Sequence, residues 1–101
     1  MHKNRTAAKV DLNQNLIVET LRMIPGVTVE PDHDDILVGY RSVTYWFEIK
    51  NPELACSKKT GEILKSAIKP DQQRILDNYT GHYKVVSSLE QILTEIGING
   101  I

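Results

Sequence analysis

The stretch that most constrains this chain runs Val43-Thr44-Tyr45-Trp46-Phe47-Glu48-Ile49-Lys50. Its β-branched and aromatic residues suit a strand, and successive strand side chains point to opposite faces. Tyr45, Phe47 and Ile49 then share one face, and Trp46, Glu48 and Lys50 share the other. A carboxylate and an ammonium two residues apart at the end of an apolar strand are rare unless they pair or do chemistry. Just upstream, Asp34-Asp35-Ile36-Leu37-Val38-Gly39 sets further acidic residues against a second apolar run.

The link between the two runs, Arg41-Ser42, is short enough to make them an antiparallel hairpin over residues 35–40 and 43–50. In that pairing Asp35, at the start of one strand, comes to lie near Glu48 and Lys50, at the end of the other. The remaining elements follow from their punctuation. Residues 11–24 read as a first helix, with an apolar stripe of Leu16, Ile17, Val18, Leu21 and Ile24 and a stop at Pro25-Gly26. Gln14 falls on or beside that stripe, so it is either a rim residue or a polar group aimed into a site. Residues 27–30 read as a short strand and 31–34 as a turn. Pro52 ends the central strand, and residues 51–69 read as a loop rich in lysine. Pro70 opens a second helix with Ile75, Leu76 and Tyr79 on its apolar side and Gly81 at its end. Residues 82–87 read as a strand. Ser87, with Glu90 three residues on, reads as the cap of a last helix that stops at Gly97. The order α-β-β-β-α-β-α implies an α/β fold, a small mixed sheet with flanking helices.

A chain of 101 residues with 41% apolar content supports one domain over residues 1–101, with residues 1–9 as a flexible basic arm and 97–101 as a tail. A formal net charge of −1 argues against a general affinity for nucleic acid, which needs a basic face. It leaves room for a local acidic cluster with lysines elsewhere. The single cysteine, Cys56, excludes an intramolecular disulfide and points to a reducing compartment. Cys56, His2, His33 and His82 lack zinc-ligand spacing. No apolar run is of membrane-spanning length and the N-terminus is polar, so a cytoplasmic location is expected.

Asp35 and Glu48 are hard oxygen ligands, the type that holds Mg²⁺ through one or two carboxylates plus waters and phosphate oxygens. The backbone carbonyl of Ile49 can add a third ligand. Lys50 would place a fixed positive charge where a phosphoryl oxygen gathers negative charge, and Gln72 or Gln73, at the start of the second helix, could hydrogen-bond a water or a phosphate. Lys58, Lys59, Lys65 and Lys69 are candidate contacts to a polyanion. Spacing alone leaves two readings level: a metal-assisted phosphodiesterase site, or a surface ion pair of little consequence.

Taken together, Asp35-Ile36-Leu37-Val38-Gly39 and Phe47-Glu48-Ile49-Lys50 resemble the signature of the PD-(D/E)xK nuclease superfamily. Within it the chain is similar to the virus-type replication-repair nuclease (VRR-NUC) domain in its compact phage and bacterial form. The other matching segments are Asp11-Leu12-Asn13-Gln14 with Ile17-Val18, Lys69-Pro70-Asp71-Gln72, and Val85-Val86 before a closing helix; the likeness spans roughly residues 9–95. The resemblance implies a restriction-endonuclease-like core. It implies Asp35 and Glu48 as metal ligands, Lys50 as the catalytic lysine and Gln72, rather than Gln73, as the glutamine after the proline. Gln14 matches a helix-borne Glu or Gln near the metal, and Asp34 is a possible partner of Asp35, since His33-Asp34-Asp35 replaces the family's Gly-x-Pro-Asp. It further implies Mg²⁺, with Mn²⁺ as a substitute, and branched DNA such as a four-way junction or a flap as substrate. A two-fold homodimer suits a symmetric junction, its interface expected on the first helix and the 51–69 segment, in a bacterial or phage-infected cell. Two rivals remain at this point: a non-catalytic nucleic-acid-binding module of the same fold, and a sequence-specific restriction-type nuclease.

Overall fold

The computed structural model describes residues 14–32 and 35–98. Asp34, His33, the 1–9 arm and residues 99–101 of the tail lie outside the described residues. Residues 14–22 are helical (α1). They are followed by strands β1 (Thr28–Asp32), β2 (Asp35–Tyr40) and β3 (Val43–Ile49), helices α2 (Pro52–Ala55) and α3 (Pro70–Asn78), strand β4 (His82–Val86) and helix α4 (Leu89–Ile96). The four strands form one mixed sheet in the order β1-β2-β3-β4. The first three pair antiparallel, and β4 joins β3 in parallel after the helical crossover.

Side-chain alternation gives the sheet two different faces. One carries Val29, Ile36, Val38, Phe47, Ile49 and Val86, all buried, against Ile17, Val18 and Leu21 of α1 and Ile92 and Ile96 of α4. This is the core, and Phe47, at 1% exposed, is its largest fully buried side chain. Leu16, assigned above to the buried stripe, is exposed instead. Helical geometry puts it a third of a turn from the Ile17–Leu21 face. The opposite face carries Asp35, Leu37, Trp46, Glu48 and Tyr83, with α3 over part of it: Tyr79, at the end of that helix, meets Trp46 edge to face at a centroid distance of 5.4 Å.

The β2–β3 hairpin closes through Arg41 and Ser42, with Tyr40 opposite Val43. Both turn residues have positive φ, 52° and 67°, the geometry a two-residue turn needs to match strand twist. Left-handed backbone costs a non-glycine residue about 1–2 kcal/mol. Ser42→Gly is therefore expected to stabilise the protein by about 1 kcal/mol, seen as a higher urea midpoint with an unchanged slope.

Three further sequence expectations need correction. The first strand runs on through Pro31 and Asp32, which were read as turn; Pro31 is tolerated because β1 is an edge strand. The 51–69 segment is not structureless. Asn51 caps α2, its side chain accepting from the Glu53 N–H at 3.0 Å. Ser57 Oγ accepts from the N–H groups of Lys59 and Thr60, Cys56 bridges to Ile63, and Lys65–Ala67 forms a 3-10 turn. Finally, the cap of α4 is Ser88, not Ser87: Ser88 Oγ accepts from Gln91 N–H at 3.3 Å, while Gln91 Oε1 reaches back to the Ser87 N–H at 2.7 Å. Gln91 fills the third helical position that Glu90 was expected to fill, and Glu90 stays exposed.

Candidate active site

The site is built by register. Across β2–β3, Asp35 stands directly opposite Glu48 and Leu37 opposite Trp46. Directly paired residues of antiparallel strands hold their Cβ atoms about 4.5–5.5 Å apart on one face. Asp35 and Glu48 are therefore neighbours on the face away from the main core, as the hairpin reading requires. The row extends further, because Asp32 on β1 pairs with Asp35. Three carboxylate-bearing residues thus lie side by side across three strands.

Glu48 is only 6% exposed, and a carboxylate so deeply buried is costly unless it is paired, hydrogen-bonded or ligating. Asp35 is half-buried, and its Oδ2 accepts from the Trp46 indole Nε1–H at 3.0 Å. Trp46 is in turn held edge-on by Tyr83 at 4.7 Å as well as by Tyr79. The indole thus fixes one oxygen of the Asp35 carboxylate. Trp46→Phe should keep most of the packing but remove this charge-assisted bond. The expected loss is about 1–3 kcal/mol in denaturant-measured stability.

The peptide joining Ile49 to Lys50 supplies a further group. Lys50 N–H donates to the Val86 carbonyl on β4 at 2.8 Å. No described peptide bond is cis, and in a trans peptide the carbonyl points opposite to the N–H. The Ile49 carbonyl therefore turns away from β4, toward the β2 side where Asp35 begins its strand. Glu48, Ile49 and Lys50 line one depression of about 320 Å³ with Asn51, Leu54, Ala55, Ala67 and Lys69. A second depression, of about 370 Å³, is lined by Glu30, Pro31, Asp32, Asp35, Ile36, Leu37 and Trp46.

The remaining candidate residues fall into place unevenly. Lys69 joins the Glu48 depression, whereas Lys58, Lys59 and Lys65 are exposed on the neighbouring segment and none lines it. Gln72 is buried, 8% exposed, and its Oε1 accepts from the Lys69 N–H at 3.0 Å, which caps α3. With Oε1 engaged in this cap, the NH₂ group can still donate to a phosphate or water oxygen. Gln73 is exposed and bonds Asp77 within its own helix at 2.9 Å. Ile75 is half-buried, but Leu76 and Tyr79 are exposed; the residue α3 buries is Gln72. Gln14 is buried on the face of α1 that carries Ile17, Val18 and Leu21.

Two contributors were not foreseen. Asp32 was hidden by the turn assignment. Tyr83 lies beside Trp46 across the parallel β3–β4 pair, on the carboxylate face. Its hydroxyl oxygen is buried without a hydrogen-bond partner among the described residues. Burial first, then the Glu48, Asp35 and Asp71 carboxylates, push the Tyr83 pKa from 10.0 to about 12. The phenol thus stays protonated at any physiological pH, a donor facing acids. Among the described residues no three His, Cys, Asp or Glu side chains are grouped to hold a metal ion between them. The residues that could hold a hard cation are Asp35 and Glu48 with the Ile49 carbonyl, the remaining positions being left to waters.

No protein-family model, curated protein or solved structure matches the chain. Among the described residues no helix is long and apolar enough to cross a membrane.

Proposed function

We propose that this protein is a divalent-cation-dependent DNA endonuclease of the VRR-NUC type. It hydrolyses phosphodiester bonds in branched DNA, and Mg²⁺ is its cation, with Mn²⁺ as a substitute. The observation that carries the reading is the direct cross-strand pairing of Asp35 with Glu48, with Lys50 following and the Ile49 carbonyl turned toward the same strand edge. A surface ion pair would need neither the burial of Glu48 nor the depression that Glu48, Lys50 and Lys69 share.

Asp35 and Glu48 would hold the cation, with the Ile49 carbonyl as third protein ligand. When bound, the cation supplies Lewis acidity and a hydroxide-forming water. Trp46 keeps Asp35 aligned. Lys50 holds the approaching phosphate and offsets the negative charge that develops on its oxygens. Lys69, across the same depression, adds a second phosphate contact, and the Gln72 NH₂ group donates to an oxygen on the α3 side. Lys58, Lys59 and Lys65 extend the positive surface outward along the strand being bound.

A two-fold homodimer belongs to the same proposal, since a symmetric junction calls for two dyad-related centres. It is supported by exposed Leu16 and Met23 at the first helix and Leu54 and Leu64 on the 51–69 segment. The test is cleavage of labelled four-way junctions, flaps and linear duplex with Mg²⁺ or Mn²⁺. Branched DNA should be cut in preference to duplex, and EDTA should stop the reaction.

A further inference from the structure

The Tyr83 hydroxyl is the one buried side-chain polar atom without a partner among the described residues. The ring alone explains its packing, because the contact with Trp46 is ring to ring, at 4.7 Å and 70°. A phenylalanine would make that contact without burying an unpaired donor, which is unfavourable. Register places the Tyr83 side chain on the carboxylate face, beside Trp46. Its field comes from Glu48, Asp35 and the first turn of α3 at Asp71.

We propose that Tyr83 is a ligand-binding residue of the candidate site, its hydroxyl donating to the oxygen ligand held against Asp35 and Glu48. That acceptor is an oxygen of the phosphate. The inference rests on the cation-site reading above. Its chemical sense is that a site lined by carboxylates repels an anion, and a neutral donor attracts the ligand oxygen without adding charge. The raised pKa agrees, since the group keeps its proton in this surrounding.

Trp46 makes the test direct: it is the only tryptophan of the chain and bonds Asp35. Intrinsic fluorescence should therefore report Mn²⁺ at the site, and the arms are wild type and Tyr83→Phe. The variant should unfold at an unchanged or higher urea midpoint, having lost an unpaired buried donor. It should bind its ligand about tenfold more weakly, the worth of one charge-assisted hydrogen bond. Weakened binding of Mn²⁺ alone overturns the proposal, since a water on the cation donates rather than accepts. Weakening seen only when thymidine 5′-monophosphate is added to the Mn²⁺-loaded protein assigns it to the phosphate. Wild-type affinity in both titrations overturns the proposal, and so does a lower urea midpoint, which would give the hydroxyl a structural role. If wild type itself gives no Mn²⁺ response, the cation-site reading fails first and this inference falls with it.

Discussion

Lys50→Ala should lower the rate of phosphodiester cleavage by about 10²–10³-fold, the usual consequence of removing a group that meets developing charge in a transition state. The fold should survive, because the contribution of Lys50 to the sheet is its backbone N–H to Val86, which alanine keeps. Cation affinity should hold or rise, since the substitution removes a positive charge from the edge of a cation site. Glu48→Ala differs in kind. It should abolish cleavage and weaken Mn²⁺ binding together, because Glu48 is placed as a ligand. Measuring cleavage and Mn²⁺ affinity on both variants separates the two roles. Equal loss of affinity in both would remove the distinction drawn between them.

The second large effect is on stability. Phe47 alternates with Glu48 on β3, so its side chain enters the core while that of Glu48 enters the site. Phe47→Ala should cost about 3–5 kcal/mol, combining lost transfer energy with the cavity left among Ile36, Val38, Ile49 and Val86. A domain of this size has about 5–15 kcal/mol in all, and the thermal midpoint should fall by more than about 10 °C. Phe47→Leu, which refills much of the volume, should recover over half of the loss. Calorimetry of the two variants checks both values. A loss below about 1 kcal/mol for Phe47→Ala would mean that β3 does not anchor the core.

These two residues also mark what sequence could reveal. The pairing of Asp35 with Glu48 follows from a period of two and a two-residue turn at Arg41-Ser42, both local quantities. Asp32 escaped because Pro31 reads as a turn-former, although an edge strand tolerates it; β1 continues through Asp32, so the row gained a third acid. Tyr83 escaped for a different reason. Alternation along residues 82–87 separates Tyr83 and Val85 from Lys84 and Val86, but not which pair faces Glu48. That depends on the register of a parallel strand reached through a long crossover. On α3 the apolar residues are Ile75, Leu76 and Tyr79, of which Ile75 is half-buried and the other two are exposed. The residue it buries is a polar one, Gln72, kept there by its bond to the Lys69 N–H. Helical spacing sets Gln14 on or beside the apolar stripe, and the residue is buried.

The most direct test of the central claim is cleavage of a labelled four-way junction in Mg²⁺ by wild type and by Glu48→Gln, which keeps the side chain's size and removes its charge. The account predicts cutting near the branch point by wild type and none by Glu48→Gln, with both proteins folded. Absence of cutting by wild type, or equal cutting by the variant, would contradict it.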